Sequence, residues 1–541
     1  MNQRQREGRR PVDLETLKSE SDHLRGTLAQ ELSESSDMFS EGAAQLLKFH
    51  GIYQQDDRDH RRGKERDYIF MVRTSLPGGE LSAEQYLVCD DLADWVGDGS
   101  IRITTRQGFQ WHHVRKGRLH PVVWTLNQAL VTTIGACGDV VRNVVACPAS
   151  PELGRLAIEI ATHFRSRSSA YWDVWIDGKP LVSAISDESE PIYGESYLPR
   201  KFKIGIASPG DNCVDVYTHD LGVVTHEGDE TITILAGGGQ GRSHNRDDTY
   251  PRLASPLGDV PRDRLIEVIE AVVVVQRDHG NREDRKLARL KYLIDAWGLD
   301  RFREAVEDRL GWRMDPPSVL EWPSHRDHLG WWRGDDGWSV GVPIPSGRIS
   351  NHGDSQIRTA LRQIVDFYRP TITLTPQQNL IFSGISDADR PDIAVRLATI
   401  SPGTNPLRID ALACVALPTC GLAVTDAERA LPKVVDDLEQ VLTELGLESE
   451  ELGLRMTGCP NGCARPYNSE IGLVGRRKGA YDIHLGGAHD GTRLNRFVTG
   501  PVKTDDVAET LRPLLARYAA SRNEGESFGN FFHRVEATVP V

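Results

Sequence analysis

Ile101–Val114 reads IRITTRQGFQWHHV and Ile372–Ile385 reads ITLTPQQNLIFSGI. Both are β-branched runs that pass through a threonine and a glutamine in register, Thr104 with Thr375 and Gln107 with Gln378. Upstream of each lies an apolar–Pro–x–Gly turn, in VRTSLPGGELS from Val72 and in VGVPIPSGRIS from Val340. Downstream, LAGGGQGR from Leu235 resembles LGGAHDGTR from Leu485, and PRKFKIGI from Pro199 falls where ARPYNSEIGL from Ala464 would fall. Short β-rich strings are common, but four pairs in one order, at offsets of 250 to 271 residues, predict a duplication. The expected halves span about 50–310 and 325–541.

Within each half a short strand–turn–strand–helix region precedes a larger mixed one. Strands alternate with helices, yet Gly-rich turns and hairpins interrupt them, which fits α+β layers better than a doubly wound parallel sheet. The expected division is an extension over 1–45, small half-domains over 46–130 and 325–400, and larger regions over 131–315 and 401–541. The extension is polar, with a short helical pattern around Leu14, Leu17 and Leu24, and is expected to dock on the body. Helices are expected at Arg264–Arg277, with Leu265, Ile266, Ile269, Val272 and Val273 on one face, and at Pro432–Leu445, where Gly446 is the stop.

A length of 541 residues is long for one core, so two to four domains are expected. No stretch approaches a membrane span. The start, MNQRQREGRR, has charge but no apolar segment of the secretory kind, making the cytoplasm the expected location. A formal net charge of −14 argues against nucleic acid as the main partner.

Of eight cysteines, Cys89, Cys137, Cys147 and Cys213 are scattered, and Cys89 and Cys213 read as small buried hydrophobes. The other four are clustered: ACVALPTCGLA places Cys414 and Cys420 six apart, and TGCPNGCARPY places Cys459 and Cys463 four apart. Four thiolates on two loops can surround a [4Fe–4S] cluster. A structural zinc ion is the alternative, but it usually takes C-x2-C knuckles, which neither pair has. Packed core thiols are the other, weakened by Pro418, Pro460 and Gly462, which indicate tight loops.

TGCPNGCARPY, with ACVALPTC upstream, resembles the signature of sulfite and nitrite reductases that use sirohaem and a [4Fe–4S] cluster. The likeness runs from LLKFHGIYQQDDRD, near Leu47, to ESFGNF near the C-terminus. It implies two pseudo-symmetric halves, each with a small ferredoxin-like half-domain. It also implies six-electron reduction of sulfite to sulfide for sulfur assimilation. Cys414, Cys420, Cys459 and Cys463 would bind the cluster, and Cys463 would also be the axial ligand of the sirohaem iron. The resemblance places Arg73, Arg142, Lys201 and Lys203 on the distal face, binding sulfite. It assigns Arg102, Arg106, Gln110, His112, Arg289 and Asn461 to the cofactor. Sirohaem carries eight carboxylates and sulfite is an oxyanion, so the site must be cationic within an acidic protein. Lys201 and Lys203 sit two apart on an expected strand and so share a face. Even spacing would likewise put Arg102, Arg106 and Gln110 on one face of a single strand.

CPNGCARPY and YLPRKFK resemble the sulfite type, whereas nitrite reductases commonly show serine where Gly462 stands; nitrite reduction is the alternative within the family. AGGGQG at Ala236 does not open a helix in a βαβ unit, so electrons are expected from a partner protein. YQQDDRD resembles the haemoprotein subunit served by an NADPH-dependent flavoprotein. ARPY, GACGD, DDLAD and KYLIDAWG resemble the ferredoxin-dependent kind, which is the expectation. Outside the family, a purely structural iron–sulfur cluster would predict a basic surface. A zinc hydrolase would want histidine and carboxylate ligands that TGCPNGC lacks.

Overall fold

The computed structural model describes residues 13–63, 65–176, 190–228, 230–325, 327–352, 355–401, 403 and 405–537. The run from Ile101 is a hairpin and not one strand: Ile101–Ile103 and Phe109–Val114 pair antiparallel around a turn. Side-chain chemistry that periodicity does not reveal makes that turn. Thr104 Oγ1 accepts the N–H groups of Arg106 at 3.3 Å and Gly108 at 3.2 Å, and Gln107 takes a left-handed φ of 49°. The second string repeats the device. Thr371–Leu374 and Leu380–Ile385 flank a turn in which Thr375 Oγ1 accepts from Gln377 at 3.2 Å and Asn379 at 3.1 Å, with Gln378 at φ 69°.

The two turns interlock. Gln107 Nε2 donates to the Leu374 carbonyl at 2.8 Å, and Gln378 Nε2 donates to the Ile103 carbonyl at 3.1 Å. Those bonds join the halves and offset the left-handed backbone, which costs about 1–2 kcal/mol for a residue with a Cβ. Strands are exchanged as well. Glu80–Leu81 pairs with Thr371–Leu374 of the other half, and Arg348–Ile349 pairs with Ile101–Ile103. Each small half-domain therefore has a five-stranded antiparallel sheet whose last strand comes from its sibling. Glycine permits the crossing: a Cβ on Gly79 would lie 2.4 Å from the Leu374 carbonyl oxygen, and one on Gly347 2.4 Å from that of Ile103. Helices Ala83–Val96 and Ile357–Tyr368 follow the exchanged strands and are joined by a buried Arg358–Asp90 ion pair at 2.7 Å.

The larger regions repeat one topology. Val145–Ala146, Ile204–Ala207, Leu221–Thr225, Thr231–Ala236 and Ser255–Pro261 pair parallel, parallel, antiparallel, antiparallel. Leu412–Ala413, Leu454–Thr457, Ile471–Arg477, Ala480–Leu485 and Arg496–Lys503 do the same. This order corrects one repeat pairing. PRKFKIGI leads into the second strand of its sheet, but ARPYNSEIGL leads into the third; both end in an Ile–Gly strand start, which made them look alike. The true counterpart of ARPYNSEIGL is VDVYTHDLGV, from Val214, which sets Asp215 opposite Arg465.

Asp215 and Arg465 are both left-handed, at φ 52° and 57°, and they bond each other: Arg465 Nε lies 2.5 Å from Asp215 Oδ2. Arg455 meets the same oxygen at 2.8 Å. Burial pushes the Asp215 carboxyl up, but Arg455 and Arg465 prevail and hold it down at about 2.

One apolar core runs from Leu24 to Ile400 through both small half-domains and the first large region, and a second, from Leu407 to Phe532, fills the last region. The expected helices form as Leu265–His279 and Leu431–Glu444. In the extension the helix covers only Leu14–Ser19; Leu24 lies beyond it at φ 74° in a turn. The extension docks through buried Lys18, whose Nζ donates to the Leu198 carbonyl at 3.0 Å. No helix among the described residues is long and apolar enough to cross a membrane.

Asp215→Asn leaves two buried guanidiniums uncompensated and is expected to cost about 3–5 kcal/mol, read as a lower urea midpoint. A carboxylate held at about 2 contributes stability above its ordinary pKa near 4 and loses it as the pH falls through 2. The gap between wild type and variant should therefore shrink between pH 4 and pH 2.

Candidate functional site

Leu412–Ala413 and Leu454–Thr457 are adjacent parallel strands, so the chain leaves both at the same sheet edge. Cys414 follows the first strand directly and Cys459 follows the second by two residues. The Cys414 N–H donates to the Met456 carbonyl at 3.2 Å, which keeps the two exits together. Cys414, Cys420 and Cys459 all lie within electrostatic reach of Cys463, and Cys414 is also within reach of the other two. Amide N–H groups point at the sulfurs: Gly458 at Cys414 (3.4 Å), Leu422 and Ala423 at Cys420, and Asn461 at Cys459. Burial raises the thiols of Cys414, Cys420 and Cys459, the last to about 12. Buried thiols that gather one another and N–H donors suit a cationic inorganic centre, which displaces their protons.

The spread of the sulfurs separates iron from zinc. Ligands on one tetrahedral zinc ion stand about 3.3–3.8 Å apart. Among the described residues, no three of these four sulfurs come within 4.8 Å of one another. That spread fits a multi-iron cube. Gly462, at φ 64°, keeps the loop flat: a Cβ there would meet Tyr467 at 3.1 Å and the Gln240 carbonyl at 3.2 Å. The Gly-rich strand end packs against it, Arg242 N–H donating to the Pro460 carbonyl at 3.0 Å.

Cys463 is exposed, whereas Cys459 is buried and Cys414 and Cys420 are half-buried. It acts electrostatically on Arg73 and Lys203. Arg73, Gln110 and Arg102 lie side by side on three neighbouring strands. The shared face expected for Arg102 and Gln110 thus arises by cross-strand pairing and not along one strand, and Arg106 sits in the hairpin turn. Gln110 Oε1 accepts from Arg73 Nε at 3.3 Å and Nη2 at 3.0 Å, while Arg73 Nη1 reaches the Cys137 sulfur at 3.5 Å. Behind Gln110, His112 Nε2 lies 3.0 Å from the Gln110 amide nitrogen, and burial pushes the imidazole pKa well down. Arg142 donates to the carbonyls of Gly138 at 2.6 Å and Ala136 at 3.2 Å.

Lys201 and Lys203 flank buried Phe202 just ahead of the strand they were expected to occupy, which begins at Ile204; a single bridge from Phe202 to Val141 gives the alternation. Burial, then Arg106 and Arg289, push Lys203 down to about 7, and burial with Lys203 pushes Lys201 well down. Arg106 falls to about 9 through burial and Arg142. Its Nη2 donates to the Ile204 carbonyl at 3.1 Å and to that of Asn143, but its buried Nε has no partner. Among the described residues no carboxylate forms an ion pair with Arg73, Arg106, Arg142, Lys201 or Lys203. Five basic side chains without an ion-pair partner and one orphaned N–H are a donor set that fits a macrocycle bearing many carboxylates.

Two expected cofactor contacts are otherwise engaged. Arg102 is bonded to Glu428 at 2.9 Å and to the Ala413 carbonyl at 2.8 Å, bracing the strand before Cys414. Arg289 makes a bidentate pair with Asp220, both bonds 2.7 Å, and Asp220 also accepts the Lys203 N–H at 2.9 Å. Asn461 lies within the cluster loop. Arg200 and Lys48 join the cation cluster unforeseen; burial, then Arg285, lowers them to about 10 and about 8. Arg200 was visible beside Lys201 in PRKFK, whereas nothing in the sequence marks Lys48, Asp220 or Glu428. Cys147 and Cys213, read as scattered, come together.

The family profile described as "Nitrite/Sulfite reductase ferredoxin-like half domain" matches residues 61–129 and 333–400, and that described as "Nitrite and sulphite reductase 4Fe-4S domain" matches 160–314. The chain is 44% identical to "Sulfite reductase [NADPH] hemoprotein beta-component" of Acidithiobacillus ferrooxidans, over 98% of this chain and 97% of the relative. It is 41% identical to the protein of that name from Staphylococcus haemolyticus, over 98% and 96%. It is 42% identical to "Sulfite reductase [ferredoxin]" of Synechococcus elongatus, over 96% and 89%. The solved structure of the Mycobacterium tuberculosis NirA protein superposes with a TM-score of 0.81 over 97% of both chains at 23% identity, a likeness of fold.

A lysine held at about 7 binds fewer protons folded than unfolded, so it costs stability at pH 7, and that cost fades as the pH rises through 7 toward 10.5. In the chain freed of tetrapyrrole, Lys203→Met should raise the thermal midpoint at pH 7, with the gain shrinking by pH 9. An unchanged midpoint at both would show that the ammonium is not held under burial and repulsion.

Proposed function

The chain belongs to the nitrite and sulfite reductase family, and from that premise we propose that it reduces sulfite to sulfide by six electrons, using sirohaem and a [4Fe–4S] cluster. The observation that carries this reading is the position of Cys463. It lies within electrostatic reach of the three clustered thiols and of Arg73 and Lys203. Cys463 would be a ligand of both the cluster and the sirohaem, and the pair would supply one-electron transfer.

When bound, the two groups would supply one-electron transfer and an iron centre for the substrate. The chain's residues do the rest. Cys414, Cys420, Cys459 and Cys463 hold the cluster, with N–H groups of Gly458, Ala423 and Asn461 stabilising charge on sulfur. Arg106 and Asn461 would hold the macrocycle. Arg102, His112 and Arg289 would support that site through Glu428, Gln110 and Asp220.

Arg73, Arg142, Lys201 and Lys203 converge on the oxyanion and fix its oxygens. Lys203, near 7, is poised to pass on the two protons with which each oxygen departs as water, recovering each from solvent. The same two roles would serve nitrite. Sulfite is preferred because Gly462 stands where nitrite reductases commonly carry serine, and because the relatives above bear the name sulfite reductase.

Electrons come from a separate protein. On the strings ARPY, GACGD, DDLAD and KYLIDAWG the donor is a ferredoxin, entering at the Cys420 loop, where Leu422 is 66% exposed and Arg58 clasps the Pro418 and Ala423 carbonyls.

The purified protein should show a haem-type visible spectrum with a red-shifted band, with iron and acid-labile sulfide; a colourless preparation loaded with zinc would end the proposal. Cys463→Ser should abolish turnover and the magnetic coupling of the two centres. Lys203→Ala should lower sulfite kcat about 100-fold with the pigment retained; loss of pigment would place that lysine on the macrocycle. Turnover with reduced ferredoxin should exceed that with an NADPH–flavoprotein pair.

A further inference from the structure

We propose that Cys147, Cys213, Asp211 and His328 form a second metal site, built for a single zinc-class divalent cation. It lies in the first half at the place that corresponds to the cluster loops of the second.

The correspondence follows from the strands. Cys147 directly follows Val145–Ala146, as Cys414 directly follows Leu412–Ala413. Cys213 stands two residues before Asp215, as Cys463 stands two before Arg465, the pair that matches across the duplication. Two of the four cluster positions are thus cysteine in both halves. The counterpart of Cys459 is Pro209, so a cube could not be held there. The missing donors are replaced by Asp211, opposite Asn461, and by His328, from the segment that links the halves.

The four ligand atoms lie within 4.8 Å of one another. His328 Nε2 is 3.5 Å from the Cys147 sulfur and 3.0 Å from Asp211 Oδ2, and that oxygen is 3.7 Å from the same sulfur. The edges of a zinc tetrahedron with two sulfurs, a nitrogen and an oxygen are about 3.3–3.8 Å. A small adjustment brings the set into register around one ion.

The geometry also excludes a relay of the Cys–His–Asp kind. A relay needs the sulfur and the carboxylate on different ring nitrogens. Here both meet Nε2, as ligands converging on one point do. Thiolate, imidazole and carboxylate together suit zinc rather than magnesium or calcium.

The ligands are held before any ion arrives. The Cys147 N–H donates to the Ile206 carbonyl at 3.0 Å, and the Cys213 N–H donates to Asp211 Oδ1 at 3.0 Å, which turns Oδ2 toward the centre. The linker is laid against the loop by Ser324 N–H to Gly210 carbonyl at 3.1 Å and Asn212 N–H to Ser324 carbonyl at 2.9 Å. Both cysteines are buried, whereas the Asp211 and His328 side chains keep 13% and 25% exposure, which leaves an entry path. His328 stands just before the Gly330–Gly334 strand, so an ion here fastens the second half to the first.

The test uses the enzyme with its iron centres, equilibrated with micromolar zinc, passed through a desalting column, and assayed for zinc and iron by plasma mass spectrometry. About one zinc per chain is expected, with X-ray absorption at the zinc edge showing two sulfurs near 2.3 Å and two lighter ligands near 2.0 Å. Cys213→Ala and His328→Ala should each lose the zinc while iron content and the visible spectrum stay unchanged. His328, partly exposed, serves if the cysteine variant does not fold. A wild type without zinc, zinc that survives both substitutions, or a Cys147–Cys213 disulfide in unreduced peptides would each overturn the proposal.

Discussion

Lys201, Lys203, Arg73, Arg106 and Arg142 are gathered without a carboxylate to pair with any of them. Mutual repulsion and burial push Lys203 to about 7 and leave one N–H of Arg106 unsatisfied, a state that costs free energy in the absence of an anion. A fold keeps such a cluster only if the rest of the structure holds it rigidly and a ligand of opposite charge completes it. An acidic protein with a local cationic floor is the result. The same repulsion that weakens the free chain makes the site selective for an anion-rich cofactor and an oxyanion substrate, and sets an ammonium near neutrality for proton delivery.

Rigidity comes from the duplication. The two halves do not merely abut; they trade strands Glu80–Leu81 and Arg348–Ile349, glutamine amides and a buried Asp215–Arg465 pair. Further side-chain bonds carry that frame to the site. Arg102 reaches from the first half to Glu428 and to the carbonyl preceding Cys414. Arg289 grips Asp220, which fixes the backbone of Lys203. The distance between thiolate and ammonium groups is thereby set by the pseudo-symmetric frame and not by loop flexibility.

The two halves have also diverged in chemistry. One edge of the sheet that begins with Leu412–Ala413 carries four spread sulfurs, and at the matching edge of the sheet that begins with Val145–Ala146 two sulfurs and a carboxylate meet an imidazole from the linking segment. The larger spread fits a cube and the smaller fits one ion, so one backbone plan serves two kinds of metal chemistry through the size of the gap between loops.

Much of this was legible in the residues. The duplication, the α+β layering, the long amphipathic helices and the grouping of Cys414, Cys420, Cys459 and Cys463 rest on periodicity and spacing, which are local and survive without coordinates. The turns inside Ile101–Val114 and Ile372–Ile385 were not legible. They depend on threonine hydroxyls and left-handed glutamines in runs whose composition favours extended chain. The pairing of ARPYNSEIGL with VDVYTHDLGV was hidden because two different strands begin with Ile–Gly or Leu–Gly.

What the order of residues settled was which side chains carry chemistry. Which of them meet was settled only by packing in three dimensions. Arg102 and Arg289 were expected at the cofactor from the resemblance alone, and only the folded chain pairs them with Glu428 and Asp220, 326 and 69 positions away. Cys147 and Cys213 looked solitary until the sheet and the linker brought Asp211 and His328 beside them. The reason is physical: spacing along a strand or helix fixes the direction of a side chain, but its charge state and partners depend on groups that arrive from distant segments when the core closes.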